Sequence, residues 1–114
     1  MKIAHFCEKA FNGGALASLK QIKLAIGIKR PQWEQDILVL CNKDPDKVAE
    51  SSLFDNGSIY AKHDQVNKIL HNYDVVFIHK LMNTNVGRML SYVPRSRCKS
   101  AVLSHTFSVN PSNC

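Results

Sequence analysis

Four short stretches carry residue types that could do chemistry, and each falls beside a run of apolar residues. The first is Asn12-Gly13-Gly14. Adjacent glycines let backbone N–H groups approach an oxyanion more closely than a side chain would permit, and a helix N-terminus behind them adds partial positive charge. A Gly-Gly also suits a tight turn. The stretch carries neither the G-x-G-x-x-G of dinucleotide sites nor the Gly-Lys-Ser/Thr of a P-loop. The second is His79-Lys80, at the end of Asp74-Val75-Val76-Phe77-Ile78-His79, and the third is His105, at the end of Ser100-Ala101-Val102-Leu103-Ser104-His105. A histidine just past a buried strand can act as general base or hydrogen-bond donor, and equally as a structural residue. The fourth is the basic cluster Arg95-Ser96-Arg97-Cys98-Lys99. It precedes a strand, so it belongs at the opposite end of a sheet from the histidines.

Other chemistries are disfavoured. His5 lies inside an apolar run and reads as structural, while His63 and His71 read as helix-flanking surface residues. No histidine stands at metal-ligand spacing from another His, Cys or carboxylate, so neither zinc nor any other metal or cofactor is expected. The cysteines at 7, 41, 98 and 114 form no C-x-x-C pair and follow no secretory leader, which predicts buried free thiols in a reducing compartment.

The elements that must position these groups follow from the apolar pattern. Ile3–Cys7, Asp36–Cys41, Ser58–Ala61, Asp74–His79 and Ser100–His105 are short, mostly apolar runs of the kind shown by strands buried on both faces. Ala15, Leu19, Ile22 and Ile26 form one stripe of an amphipathic helix, which Pro31 ends. Further helices are expected over about 46–53 behind Pro45, from a cap at Asp64 through Leu70, and over about 85–92 before Pro94. Strands alternating with helices predict right-handed βαβ crossovers. The expected fold is an α/β Rossmann-like three-layer sandwich with a short parallel sheet of about four to five strands, the first strand central.

Composition bounds the rest. The 114 residues are 45% hydrophobic and 21% charged, which suits one globular domain with one core and excludes disorder or a fibrous repeat. No apolar run approaches the roughly 20 residues that cross a bilayer, and a cytoplasmic protein, at most peripheral to a membrane, is expected. The net charge of +6 is uneven. Residues 1–57 carry eight basic and seven acidic side chains, whereas residues 58–114 carry seven basic against Asp64 and Asp74. That asymmetry favours an anionic ligand or membrane surface. Nucleic acid is disfavoured, because only Tyr92 lies near the basic cluster and the aromatic interleaving of a single-strand platform is missing. The last strand, near the end of the chain, predicts an uncovered edge that a homodimer or a second chain would cover.

In order and spacing these elements resemble the N-terminal domain of a GT-B glycosyltransferase of the glycosyl transferases group 1 family. The start Met1-Lys2-Ile3-Ala4-His5-Phe6 leads through Asn12-Gly13-Gly14 into Ala15-Leu16-Ala17-Ser18-Leu19. Asp36-Ile37-Leu38-Val39-Leu40-Cys41, Tyr73-Asp74-Val75-Val76-Phe77-Ile78-His79 and Val102-Leu103-Ser104-His105-Thr106 follow in the family's order. Thr106 stands where that family commonly has an acidic residue. The resemblance implies an acceptor-side domain, residues 1–114, whose Gly13-Gly14 loop reaches donor phosphates, with His79 and Lys80 at the substrate and His105 as the catalytic candidate. It also implies that the nucleotide sugar is held by a C-terminal domain absent from these residues, so that the chain alone is inactive. The alternative is a non-catalytic Rossmann- or flavodoxin-like module that self-associates or binds a phosphorylated small molecule.

Overall fold

The computed structural model describes residues 1–9, 13–41 and 58–105. In chain order these form β1 (Lys2–Cys7), α1 (Gly13–Lys29), β2 (Glu34–Leu40), β3 (Ile59–Ala61), α2 (His63–Leu70), β4 (Val75–Lys80), α3 (Val86–Ser91) and β5 (Lys99–Ser104). The strands make one parallel sheet in the order β3-β2-β1-β4-β5. β1 is central, and Ile3–Cys7 are all buried. This is the Rossmann-like sandwich that the strand composition predicts: a strand covered on both faces has no need to alternate polar with apolar residues.

Residues alternate between the two faces of each strand, and the faces bury different partners. On one face Cys7, Ile37 and Val39 pack against Leu16 and Leu19 of α1. On the other, Ala4, Phe6, Leu38, Leu40, Val76 and Ile78 pack with Val66 and Leu70 of α2 and Met89 of α3. Right-handed crossovers require this division, since the chain steps from β1 to β2 in one direction and from β3 to β4 to β5 in the other. The direction of winding reverses between β1 and β4, the position at whose carboxyl ends open parallel sheets typically form a ligand crevice.

The amino ends are tied together at one residue. The Asp74 carboxylate accepts from the Lys2 backbone N–H at 2.9 Å and from Arg97 at 3.3 Å. The Asp74 backbone N–H donates to the Lys2 carbonyl at 2.9 Å, and its own carbonyl accepts from the Lys99 N–H at 3.0 Å. Nearby, the Tyr73 hydroxyl donates to Asp36 at 2.6 Å, and the Cys98 thiol donates to the carbonyls of Tyr73 at 2.9 Å and Leu70 at 3.1 Å. The basic cluster does lie at this end, away from the crevice, with Arg97 partnered by Asp74.

Three local expectations need correction. β2 begins at Glu34, two residues before its apolar run, because backbone pairing of Glu34 and Gln35 with Lys2 and Ile3 sets the strand start. Asp64 is not the cap of α2. That position is Lys62, which makes no side-chain cap, and Asp64 stands in the first turn, where its negative charge still interacts favourably with the helix dipole. Gly13 and Gly14 belong to the first turn of α1 rather than to a loop before it. The helix expected over 46–53 lies outside the described residues. Among the described residues, Cys7, Cys41 and Cys98 are buried, and no helix is long and apolar enough to cross a membrane. Among the described residues β5 pairs with β4 alone, and Lys99–Val102 are exposed.

Candidate functional site

The site grows from the carboxyl ends of β1, β4 and β5. The 17-residue α1 starts beside the end of β1 with Gly13 at φ +70°, a left-handed conformation that glycine adopts at little cost. A Cβ built on Gly13 would meet nothing within 4 Å. Glycine is therefore required there by backbone conformation and not by lack of space. Asn12 lies outside the described residues. Across the crevice, the Glu8 carboxylate accepts from the backbone N–H of Asn85 at 3.3 Å, joining the end of β1 to the start of α3.

His79 and Lys80, adjacent in sequence, are separated by the strand's alternation. His79 lies on the α1 face and is buried, whereas Lys80 lies on the other and is half-buried. The Lys80 carbonyl accepts from the His105 N–H at 2.8 Å, extending the β4–β5 ladder by one residue. His105 is buried, and its ring lies edge to edge with that of His79, centroids 4.9 Å apart and planes 19° apart.

These two rings belong to a longer array. His79 Nδ1 lies 2.6 Å from His105 Nε2, and His79 Nε2 lies 2.8 Å from His5 Nδ1. His5 Nε2 lies 2.8 Å from Gln35 Oε1, and the Gln35 amide donates to the Lys23 carbonyl at 2.9 Å. At the other end, His105 Nδ1 lies 3.1 Å from Ser18 Oγ on α1. Three imidazoles from three neighbouring strands thus run in line beneath α1, with a serine at one end and a glutamine at the other. Gln35 also lines a groove of about 560 Å³ along α1, with Lys20, Lys23, Leu24, Gly27 and Ile28.

Burial governs the charge of these rings. It pushes His79 down to about 3 from its ordinary 6.5, and the neighbouring His5 and His105 push the same way. His5 is lowered chiefly by burial, against an opposing pull from Gln35 and with further lowering from Lys23. Burial lowers His105 as well. All three are neutral imidazoles near pH 7, each with one N–H and one bare nitrogen, so each both donates and accepts. The rings are threaded by hydrogen bonds rather than converging on a point. Among the described residues no group of His, Cys, Asp or Glu could hold a metal ion.

Of the residues singled out in the sequence, the structure brings His79 and His105 together and places Gly13 and Gly14 at the start of the helix that carries Ser18. Sequence reasoning missed Ser18 and Gln35, and it set His5 apart as structural. The signal is in the register between strands, which sets His5 opposite Phe77 and Cys7 opposite His79 and so places His5 and His79 on one face. No protein-family model, curated protein or solved structure matches this chain.

Proposed function

We propose that this chain is the acceptor-side half of a GT-B glycosyltransferase, holding a hydroxyl-bearing acceptor at the carboxyl ends of β1, β4 and β5. A donor-binding domain or second chain would close the cleft. The observation that carries the reading is Gly13, held at φ +70° where a long helix meets the central strand. Backbone N–H groups and the positive end of the helix dipole suit a phosphate there, at the position where open parallel sheets bind ligands. The surplus of basic residues in 58–114 supports an anionic partner. His105, buried just past β5, is the candidate base for the acceptor hydroxyl, reached through the Ser18 hydroxyl that it bonds.

A thermal-shift screen across sugar phosphates and nucleotide sugars tests this. Sugar phosphates should raise the melting temperature of the wild-type chain and not of Gly14→Val. Nucleotide sugars should bind weakly, because the half that would clamp them is missing. Micromolar binding of a nucleotide sugar by the chain alone would refute the half-site reading and favour a free-standing phosphate binder. The exposed β5 edge supports a second reading, a non-catalytic module that self-associates. A stable homodimer indifferent to every sugar phosphate would favour it.

A further inference from the structure

The hydrogen bonds around His5, His79 and His105 have a direction, and it can be worked out from one end. Gln35 donates through Nε2 to the Lys23 carbonyl, so the oxygen of its amide is what faces His5 Nε2. His5 Nε2 must therefore carry a hydrogen. A neutral His5 then has a bare Nδ1, which accepts from His79 Nε2–H. By the same step His79 Nδ1 is bare and accepts from His105 Nε2–H. His105 Nδ1 is bare in turn and accepts from the Ser18 hydroxyl. One glutamine fixes three tautomers and the orientation of a serine hydroxyl on another element.

We propose that Ser18, His105, His79 and His5 form a directional relay that takes up a single proton from a weakly acidic group, such as a hydroxyl, presented at Ser18. Gln35 is the positioning residue that sets its direction. The donor's O–H bond breaks and its proton passes to Ser18 Oγ, while the Ser18 proton moves to His105 Nδ1. His105 Nε2–H then passes to His79 Nδ1, and His79 Nε2–H to His5 Nδ1. The donor is left as an oxyanion and the relay as one imidazolium, on His5, with His79 and His105 neutral and protonated on Nδ1. The capacity is one proton, because a second would set two N–H groups against each other between neighbouring rings. This holds whether or not the chain serves a glycosyltransferase.

The surroundings fit a relay that rests neutral. Lys23 from α1 is the charged group that acts on His5, with Gln35 of β2 and the Phe77 ring of β4 beside it. His79 feels His5 and His105, and His105 meets Ser18 of α1. The charge that acts on His5 is the cation of Lys23, and those that act on His79 are its two neighbouring rings, so a proton taken up at either is readily returned.

Nitrogen NMR of the histidine-labelled chain tests the assignment directly. At pH 7.5 all three buried rings should be Nε2–H tautomers, and on acidification they should titrate with one shared midpoint. Gln35→Glu, which sets a carboxylate against His5 Nε2, should raise that midpoint by about one pH unit or more, a tenfold change in proton affinity. Gln35→Met, which keeps the bulk and removes the acceptor, should leave the tautomers mixed. In Ser18→Ala, exchange of the His79 and His5 ring protons with solvent should slow several-fold, since the entry point is gone. An Nδ1–H tautomer on His105 at pH 7.5 would overturn the proposal in the wild-type chain alone, as would three separate midpoints. A midpoint unmoved in Gln35→Glu would remove Gln35 from its role, and unchanged exchange in Ser18→Ala would remove Ser18.

Discussion

Acidification should destabilise this protein through its buried histidines well before its carboxylates are protonated. The sign follows from where the proton binds more tightly. In the unfolded chain His79 titrates near its ordinary 6.5, whereas burial and its two histidine neighbours hold it at about 3 in the folded state. Above 6.5 neither state binds the proton and stability is at its full value. As pH falls below 6.5 the unfolded chain gains a proton that the folded one refuses, and stability drops until the folded value is reached. His79 alone should cost about 1.4 kcal/mol between pH 7.5 and 5.5, from 2.303RT for each pH unit traversed below the unfolded value. His5 and His105, lowered by the same burial, add in the same direction. Against the roughly 5–15 kcal/mol of a typical domain, the loss should be plain in urea midpoints measured at half-unit steps from pH 7.5 to 5.0. Asp74, held below the ordinary carboxylate range chiefly by the Lys2 N–H, loses its contribution only at lower pH, outside this interval. A urea midpoint that stays flat from pH 7.5 to 5.5 would refute the premise that the rings are buried and neutral.

Three further outcomes are expected. Gly13→Ala should lower stability by about 1 kcal/mol in urea titration through its positive φ alone, because the added methyl meets no neighbour; an unchanged midpoint would show that the left-handed turn is not kept. Tyr73→Phe should cost on the order of 1–3 kcal/mol by removing the donor to the Asp36 carboxylate, and calorimetric melting would reveal an error if the variant matched wild type. Cys98→Ala should cost more than Cys98→Ser, since the hydroxyl retains a donor for the Leu70 and Tyr73 carbonyls; the reverse order in melting temperature would contradict the assigned bonds.

Much of the architecture is legible in the sequence because it rests on local causes. Val75–Ile78 and Ile37–Leu40 announce buried strands by composition, and Pro31 and Pro94 mark where helices must already have ended. That the strands run parallel follows from alternation of element type, and the first strand is central as expected; the full order is set by the structure. The relay beneath α1 is a different matter. Ser18, Gln35, His5, His79 and His105 come from five separate elements, and their contacts depend on strand register and on the rotation of α1 about its axis. Neither is encoded within any short window. Apolar composition even points the wrong way at Gln35, whose polar side chain places it outside the strand run that it in fact joins. The same cause hides His5: within its own strand it looks like a structural residue, and it becomes part of an array only when β4 is laid beside it.

The knot at Asp74 has a mechanical consequence. One residue clasps β1, β4 and β5 at their amino ends through both its backbone and its carboxylate, whereas toward their other ends the backbone ladders are supplemented by hydrogen bonds between imidazoles. The sheet is therefore braced most firmly along its amino edge. Any breathing that parts β4 from β1 pivots about Asp74 and is widest at the carboxyl edge, where His79 and His5 would separate first. A ligand wedged into that edge would work against the smallest restoring force the sheet offers, and amide exchange should be fastest at the carboxyl ends of β4 and β5 and slowest beside Lys2 and Val75.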